Sequence, residues 1–162
     1  MLKKSILFSL VLLFILNPIK LNEESITTYE EKQYNNYLVI PKLNFKKEFY
    51  PLKDKRNNVD NNIEVLNNSV MPNKIGNMYI AGHSGVGNKA FFNDLFKLKK
   101  EDKLIIIYKN KEYIYEITDI YNEKKDHDIK VNYNKNSNYL ILTTCNKYFK
   151  EKQLVIKAQI LQ

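Results

Sequence analysis

The sequence has no tryptophan, one cysteine, four glycines and a single arginine, Arg56. One cysteine excludes any disulfide within the chain. A lone thiol in an exported protein is either buried and inert or kept for its reactivity. One cysteine and two separated histidines, His83 and His127, also give no ligand spacing for a structural metal. Arginine is the favoured reader of bases and phosphates, and no aromatic–basic motif of a nucleic-acid module occurs, so nucleic acid drops out as a partner. The net charge is +8, of which Lys3, Lys4 and Lys20 carry three, leaving a surplus of five over the remainder. That surplus reads as a solvated lysine surface compatible with anionic lipid or an anionic cell wall. Hydrophobic content of 44% and twelve tyrosines point to a folded chain, and 162 residues are enough for one domain and a leader. The abundance of Lys, Asn, Ile and Tyr is the mark of AT-rich coding, so none of these residues is a signal by itself.

The start, "MLKKSILFSLVLLFILNPIKL", sets two lysines before an apolar run from Ile6 to Leu16. A basic segment followed by an apolar one predicts export. No small-x-small cleavage site follows, and the run is short for a full span of about twenty residues. Residues 1–21 are expected to be a signal anchor in preference to a cleaved peptide, with the positive-inside rule leaving the rest of the chain outside the membrane. Residues 22–36 read as a polar juxtamembrane linker, and residues 37–162 as the folded domain.

Within that domain the pattern is of short β-type runs at 77–82, 103–109, 112–118, 138–145 and 153–161, all rich in Ile, Val, Tyr and Thr. "IIIYKNKEYIYEI" predicts a hairpin turning at Asn110-Lys111. In "AFFNDLFKLKK" (90–100), Phe92, Leu95 and Phe96 recur at helical spacing, with lysines at the C-terminal end. Residues 53–76 are Asn-rich and predicted to be loop. The expected fold is mostly β, a closed barrel with one or two short helices.

Strand alternation places Ile141, Thr143 and Cys145 on one face, and Leu140, Leu142 and Thr144 on the other. Cys145 then ends its strand. Taken alone, such a cysteine is more often structural than reactive. His83 follows another apolar strand in a turn holding Gly82, Gly85 and Gly87, three of the four glycines. Glycines gathered around one histidine indicate backbone that passes close to something. A thiol and an imidazole at two strand ends can form a nucleophile–base pair, although a bare Cys and a bare His are a weak signal. His127, in the polar run "NEKKDHDIKV", reads as a solvated loop residue.

The ordered segments "NMYIAGHS", "FFNDLFKLKKEDKLIIIY" and "YLILTTCNKY" resemble the sortase family's GN-x-x-IAGH, F-x-x-L-x-x-L-x-x-GD and L-x-x-T-C motifs. "YLVIPKLNFKKEFYPL" is similar to the family's first strand, and the likeness runs from about residue 37 to 161. The resemblance implies an eight-stranded β-barrel and a membrane-anchored cysteine transpeptidase. Such an enzyme would cleave an LPxTG-like sorting signal on surface proteins and pass it to a cell-wall or pilin amine. It further implies Cys145 as nucleophile, His83 as general acid/base and Thr144 as a residue lining the site. That chemistry requires no metal. Calcium, which some members bind, would have only Glu123, Asp126 and Asp128 to call on, too ordinary a set to claim. Two departures stand out. The family's GD reads Glu101-Asp102, and the family's arginine, five positions before the alanine of the last strand, is Gln153. A glutamine amide donates without charge, and charge-assisted bonds are about twice as strong. Lys157, on the same strand face, stands about 13 Å away. The alternatives are an L,D-transpeptidase, whose S-x-G-C "LTTCN" lacks, and a non-catalytic binding or assembly module on the same fold.

Overall fold

The computed structural model describes residues 35–125 and 137–161. The predicted anchor 1–21, nearly all of the linker 22–36, and His127, Asp126 and Asp128 lie outside the described residues. Among the described residues no helix is long and apolar enough to cross a membrane.

Eight strands form one sheet that curls into a nearly closed barrel: β1 Asn36–Ile40, β2 Phe45–Phe49, β3 Glu64–Val65, β4 Asn77–Ala81, β5 Lys103–Tyr108, β6 Lys111–Lys124, β7 Tyr139–Cys145 and β8 Lys152–Ile160. Their spatial order is β2-β1-β5-β6-β8-β7-β4-β3. All neighbours are antiparallel except β4 and β7, which run parallel. The seam between the edge strands is spanned from the Asn-rich stretch, where buried Asn62 donates its side-chain amide to the Glu48 carbonyl at 2.9 Å. Asn57 likewise brackets Val65, accepting from its N–H and donating to its carbonyl. These asparagines satisfy edge backbone groups that no strand partner reaches.

The alternating apolar residues of β1, β5 and β6 fill the barrel, among them Leu38, Ile40, Leu104, Ile106, Tyr115 and Ile117. Strand β7 differs because both of its faces are buried. Leu140 and Leu142 belong to the barrel core, whereas Tyr139 and Ile141 pack with Val155 under Tyr79 and Tyr121 on the outer side. The predicted hairpin is present, but its turn is Lys109-Asn110, one residue earlier than expected. Tyr108 pairs with Lys111, and both turn residues have positive φ, 51° and 62°, as a two-residue type I′ loop requires. Strand β6 runs six residues beyond its predicted end. A bulge between Ile117 and Asp119 reverses the alternation, so Ile120 packs against the core while Asp119 does not.

The predicted helix over 90–100 is corrected to turns with one short 3₁₀ segment, Leu95–Lys97. The buried residues are Phe92, Leu95 and Leu98, a spacing of three that a 3₁₀ turn stacks on one side. Phe96, counted as core at helical spacing, is 44% exposed. Three hydrogen bonds oppose helix formation: Phe92 N–H donates to the His83 carbonyl at 2.9 Å, and Asn93 exchanges two with Gly85. Glu101, in the family's glycine position, has φ 73°, a left-handed conformation that glycine adopts at less cost.

Candidate active site

Pairing fixes where three strand ends meet. Parallel β4 and β7 are in register as Ala81↔Thr143, and the alignment continues past the last ladder pair. Gly82 N–H donates to the Thr143 carbonyl at 3.2 Å, the Thr144 hydroxyl donates to the Gly82 carbonyl at 2.7 Å, and the Ser84 hydroxyl donates to the Cys145 carbonyl at 2.6 Å. Carried on two residues, that register sets His83 beside Cys145. On the other side of β7, Cys145 is the direct partner of Gln153, which in turn pairs with Glu123 on β6. Directly opposed residues share a face. Cys145 and Gln153 therefore project on the outer side, continuing the face of Ile141 and Val155. Thr144 and Leu154 belong to the barrel side.

Cys145 is exposed, so the reading of it as an inert core residue does not hold. The His83 side chain is 46% exposed, and its Nε2 lies 3.5 Å from Asp60 Oδ1. Thr144 is buried at 6% exposure. It borders a cavity next to Cys145 while its hydroxyl is committed to Gly82. Gln153 has its side-chain Oε1 3.3 Å from the Thr143 hydroxyl. The single Thr143 proton is shared with the Leu154 carbonyl at 3.2 Å, and when it points to Oε1 the Gln153 amide N–H groups remain available to another acceptor. The chain's one arginine is committed elsewhere. Arg56 forms a two-point pair with Asp54 at 3.0 and 2.7 Å and lies 4.1 Å above the Tyr50 ring. That pair holds the Asp54 carboxyl down at about 2, through the Arg56 side-chain bond first. On the outer face, burial foremost, then Glu123, Asp119 and Tyr79, push the Tyr121 phenol up to about 12, so it stays neutral at physiological pH.

Of the glycines around His83, only Gly82 is there for close approach. A Cβ at Gly82 would fall 2.7 Å from the Phe92 ring. Gly85 and Gly87 instead have φ of 132° and 122° with open space around them. Gly82→Ala is accordingly expected to destabilise the fold by about 1–3 kcal/mol, the usual cost of overpacking, measured as a lowered urea midpoint. Because Gly82 also positions Thr144, activity should fall with it.

Beside Cys145, on the side away from Gln153, an apolar cavity of about 270 Å³ is lined by Phe92, Phe96, Ile120, Leu154, Tyr148 and Phe149 among others. Among the described residues there is no group of three or more His, Cys, Asp or Glu side chains placed to hold a metal. Ser84, Asp60 and Thr143 are site residues that the sequence reading did not assign. Ser84 could have been flagged by its place next to His83, whereas Asp60 reaches the site from a distant loop with no local signal.

The arrangement is a thiol at the end of a central strand, an imidazole at the end of its parallel neighbour and an amide opposite the thiol. Among solved structures, the chain is similar to a lid mutant of sortase A from Corynebacterium diphtheriae, with TM-score 0.70 and 21% identity over 84% of this chain and 74% of that one. It is similar to sortase C1 from Streptococcus agalactiae, with TM-score 0.67 and 26% identity over 82% and 70%. It is also similar to sortase C from Clostridium perfringens SM101, with TM-score 0.65 and 19% identity over 81% and 71%. No curated protein sequence matches it significantly. The sortase domain model matches residues 38–161, a span holding all eight strands but the first two residues of β1 and taking in His83, Cys145 and Gln153; by that match this chain belongs to the sortase family.

Proposed function

We propose that the chain is a cysteine transpeptidase that cleaves an LPxTG-like sorting signal and transfers the surface protein to an amine of the cell wall or a pilin. Residues 1–21 would anchor it in a Gram-positive-type membrane with the barrel outside. The observation that carries this reading is the register that brings Cys145 between the His83 strand end and Gln153. In the first half-reaction the Cys145 thiolate attacks the carbonyl after the signal's threonine, and the C–N bond breaks. His83 gives its proton to the departing amine, leaving a thioacyl enzyme. An incoming amine then attacks the thioester, His83 takes its proton and the thiolate leaves. Covalent catalysis suits an exchange of one amide for another, since the acyl energy is kept in the thioester. Gln153 would donate to the developing oxyanion.

A non-catalytic module is the second reading, favoured by the neutral residue in the arginine's place. The two separate on one experiment. The purified chain, incubated with a labelled LPxTG-type peptide and a thiol-directed analogue of it, should release the C-terminal fragment and gain the analogue's mass at Cys145. A chain that binds the peptide without cleaving it or being labelled would establish the module instead.

A further inference from the structure

Cys145 also borders a second, larger cleft of about 950 Å³. Its walls include Ser84 and Asn146, the residues that follow His83 and Cys145, but neither His83 nor Gln153. The cleft thus reaches Cys145 along walls separate from those two residues. Four lysines line it, Lys97, Lys125, Lys147 and Lys150, against one carboxylate, Asp94. Asp94 is already engaged by Lys97 at 2.8 Å. Lys125, Lys147 and Lys150 have no carboxylate partner among the described residues. Lys147 rests 5.4 Å over the exposed Phe96 ring.

The lysines are held on ordered backbone. Asn146 Oδ1 accepts from the N–H groups of Tyr148 and Phe149 at 2.8 and 3.0 Å, which folds the start of the β7–β8 loop. Lys125 N–H donates to the Glu151 carbonyl at 3.1 Å, tying the end of β6 to the end of that loop. Like charges gathered without a counter-charge repel one another, and an anionic ligand relieves that cost while gaining from each of them.

We infer that this lysine-lined cleft binds a carboxylate borne by one of the two peptide substrates, next to the sulfur and apart from the His83–Gln153 face. The assignment rests on the transpeptidase reading for the word substrate, but not for the binding itself. A transpeptidase must bring two peptides to one sulfur, and a basic cleft bordering Cys145 offers one of them a seat for its charge. The carboxylate belongs either to the acceptor or to residues flanking the donor signal, and kinetics distinguishes them.

The test begins with calorimetric titration of the full chain with Gly-Gly-Asp-Glu-amide and Gly-Gly-Asn-Gln-amide. The acidic peptide should bind about tenfold more tightly, as two exposed ion pairs within their usual range give, and its advantage should fade at high salt. The Lys125→Gln/Lys150→Gln variant should lose the difference while binding the neutral peptide as before. Equal affinity for the two peptides, or an unchanged preference in the variant, would overturn the proposal. In turnover assays, a KM difference between acidic and neutral acceptors that the variant abolishes assigns the carboxylate to the acceptor. The same difference between donor peptides with and without flanking acids assigns it to the donor. If no peptide is turned over, the transpeptidase reading falls, and the titration still decides the cleft.

Discussion

Cys145→Ala is expected to abolish both peptide cleavage and covalent labelling, with a fall of at least about 10³-fold in kcat/KM, as removal of a nucleophile does elsewhere. The reason lies in the strand, not only in the residue type. Cys145 is exposed at the last position of β7, and its carbonyl, not its sulfur, is what Ser84 holds. Trimming the side chain removes the reacting atom and leaves that anchor intact. Folding stability should therefore change by less than about 0.5 kcal/mol, as for other exposed substitutions. Activity assays and urea denaturation on the same preparation separate the two quantities. Wild-type turnover in the alanine variant would show that the cysteine has no chemical role.

The second large effect is expected at Gln153. If its amide donates to the oxyanion, Gln153→Ala should lower kcat by about 10²-fold, the lower end of what losing one oxyanion donor costs. KM should change little, because the interaction strengthens only as charge develops on the oxygen. Stability should shift by less than about 1 kcal/mol, since the side chain's hydrogen-bond partner is a single hydroxyl, that of Thr143. Gln153→Arg should keep or raise activity by adding charge and a second donor at the same place. The gain has a ceiling: the guanidinium has no acceptor atom, so it cannot take the Thr143 hydroxyl's hydrogen bond as the amide oxygen does. Unchanged kcat in Gln153→Ala would make the residue a bystander and move the donor's role to backbone N–H groups.

Much of this site was legible along the chain because its residues end apolar strands. "NMYIAGH" and "YLILTTC" each announce a strand by composition, and the thiol and imidazole follow directly. The missing arginine was legible too, since the count back from Ala158 falls on Gln153, which the β7–β8 register sets opposite Cys145. What the sequence could not carry was decided by contacts distant along the chain. Alternation divides β7 into two faces, yet both are buried, so composition does not say which one meets the core. The polar end of β6, Asp119 to Lys124, has no strand signature; it is extended because β8 pairs with it. Residues 90–100 carry apolar residues that suit two periods at once, and the hydrogen bond from Phe92 to His83 favoured the tighter one. Asp60 and Thr143 gain their roles only through partners 23 and 10 residues away.

The parallel pairing of β4 with β7 has a consequence for the order in which the site is assembled. Parallel strands cannot be joined by a tight turn, and here β5 and β6 intervene between Ala81 and Tyr139. The thiol and the imidazole are thus joined by some of the least local contacts in the fold, links spanning 61 and 62 residues, and such contacts form slowly because loop closure is costly before they reward it. A chain emerging from its N-terminus has His83 in place long before Cys145 exists to meet it, and Gln153 arrives later still. No fragment ending before β8 can hold the three together, so the site is complete only once β8 has been delivered and paired.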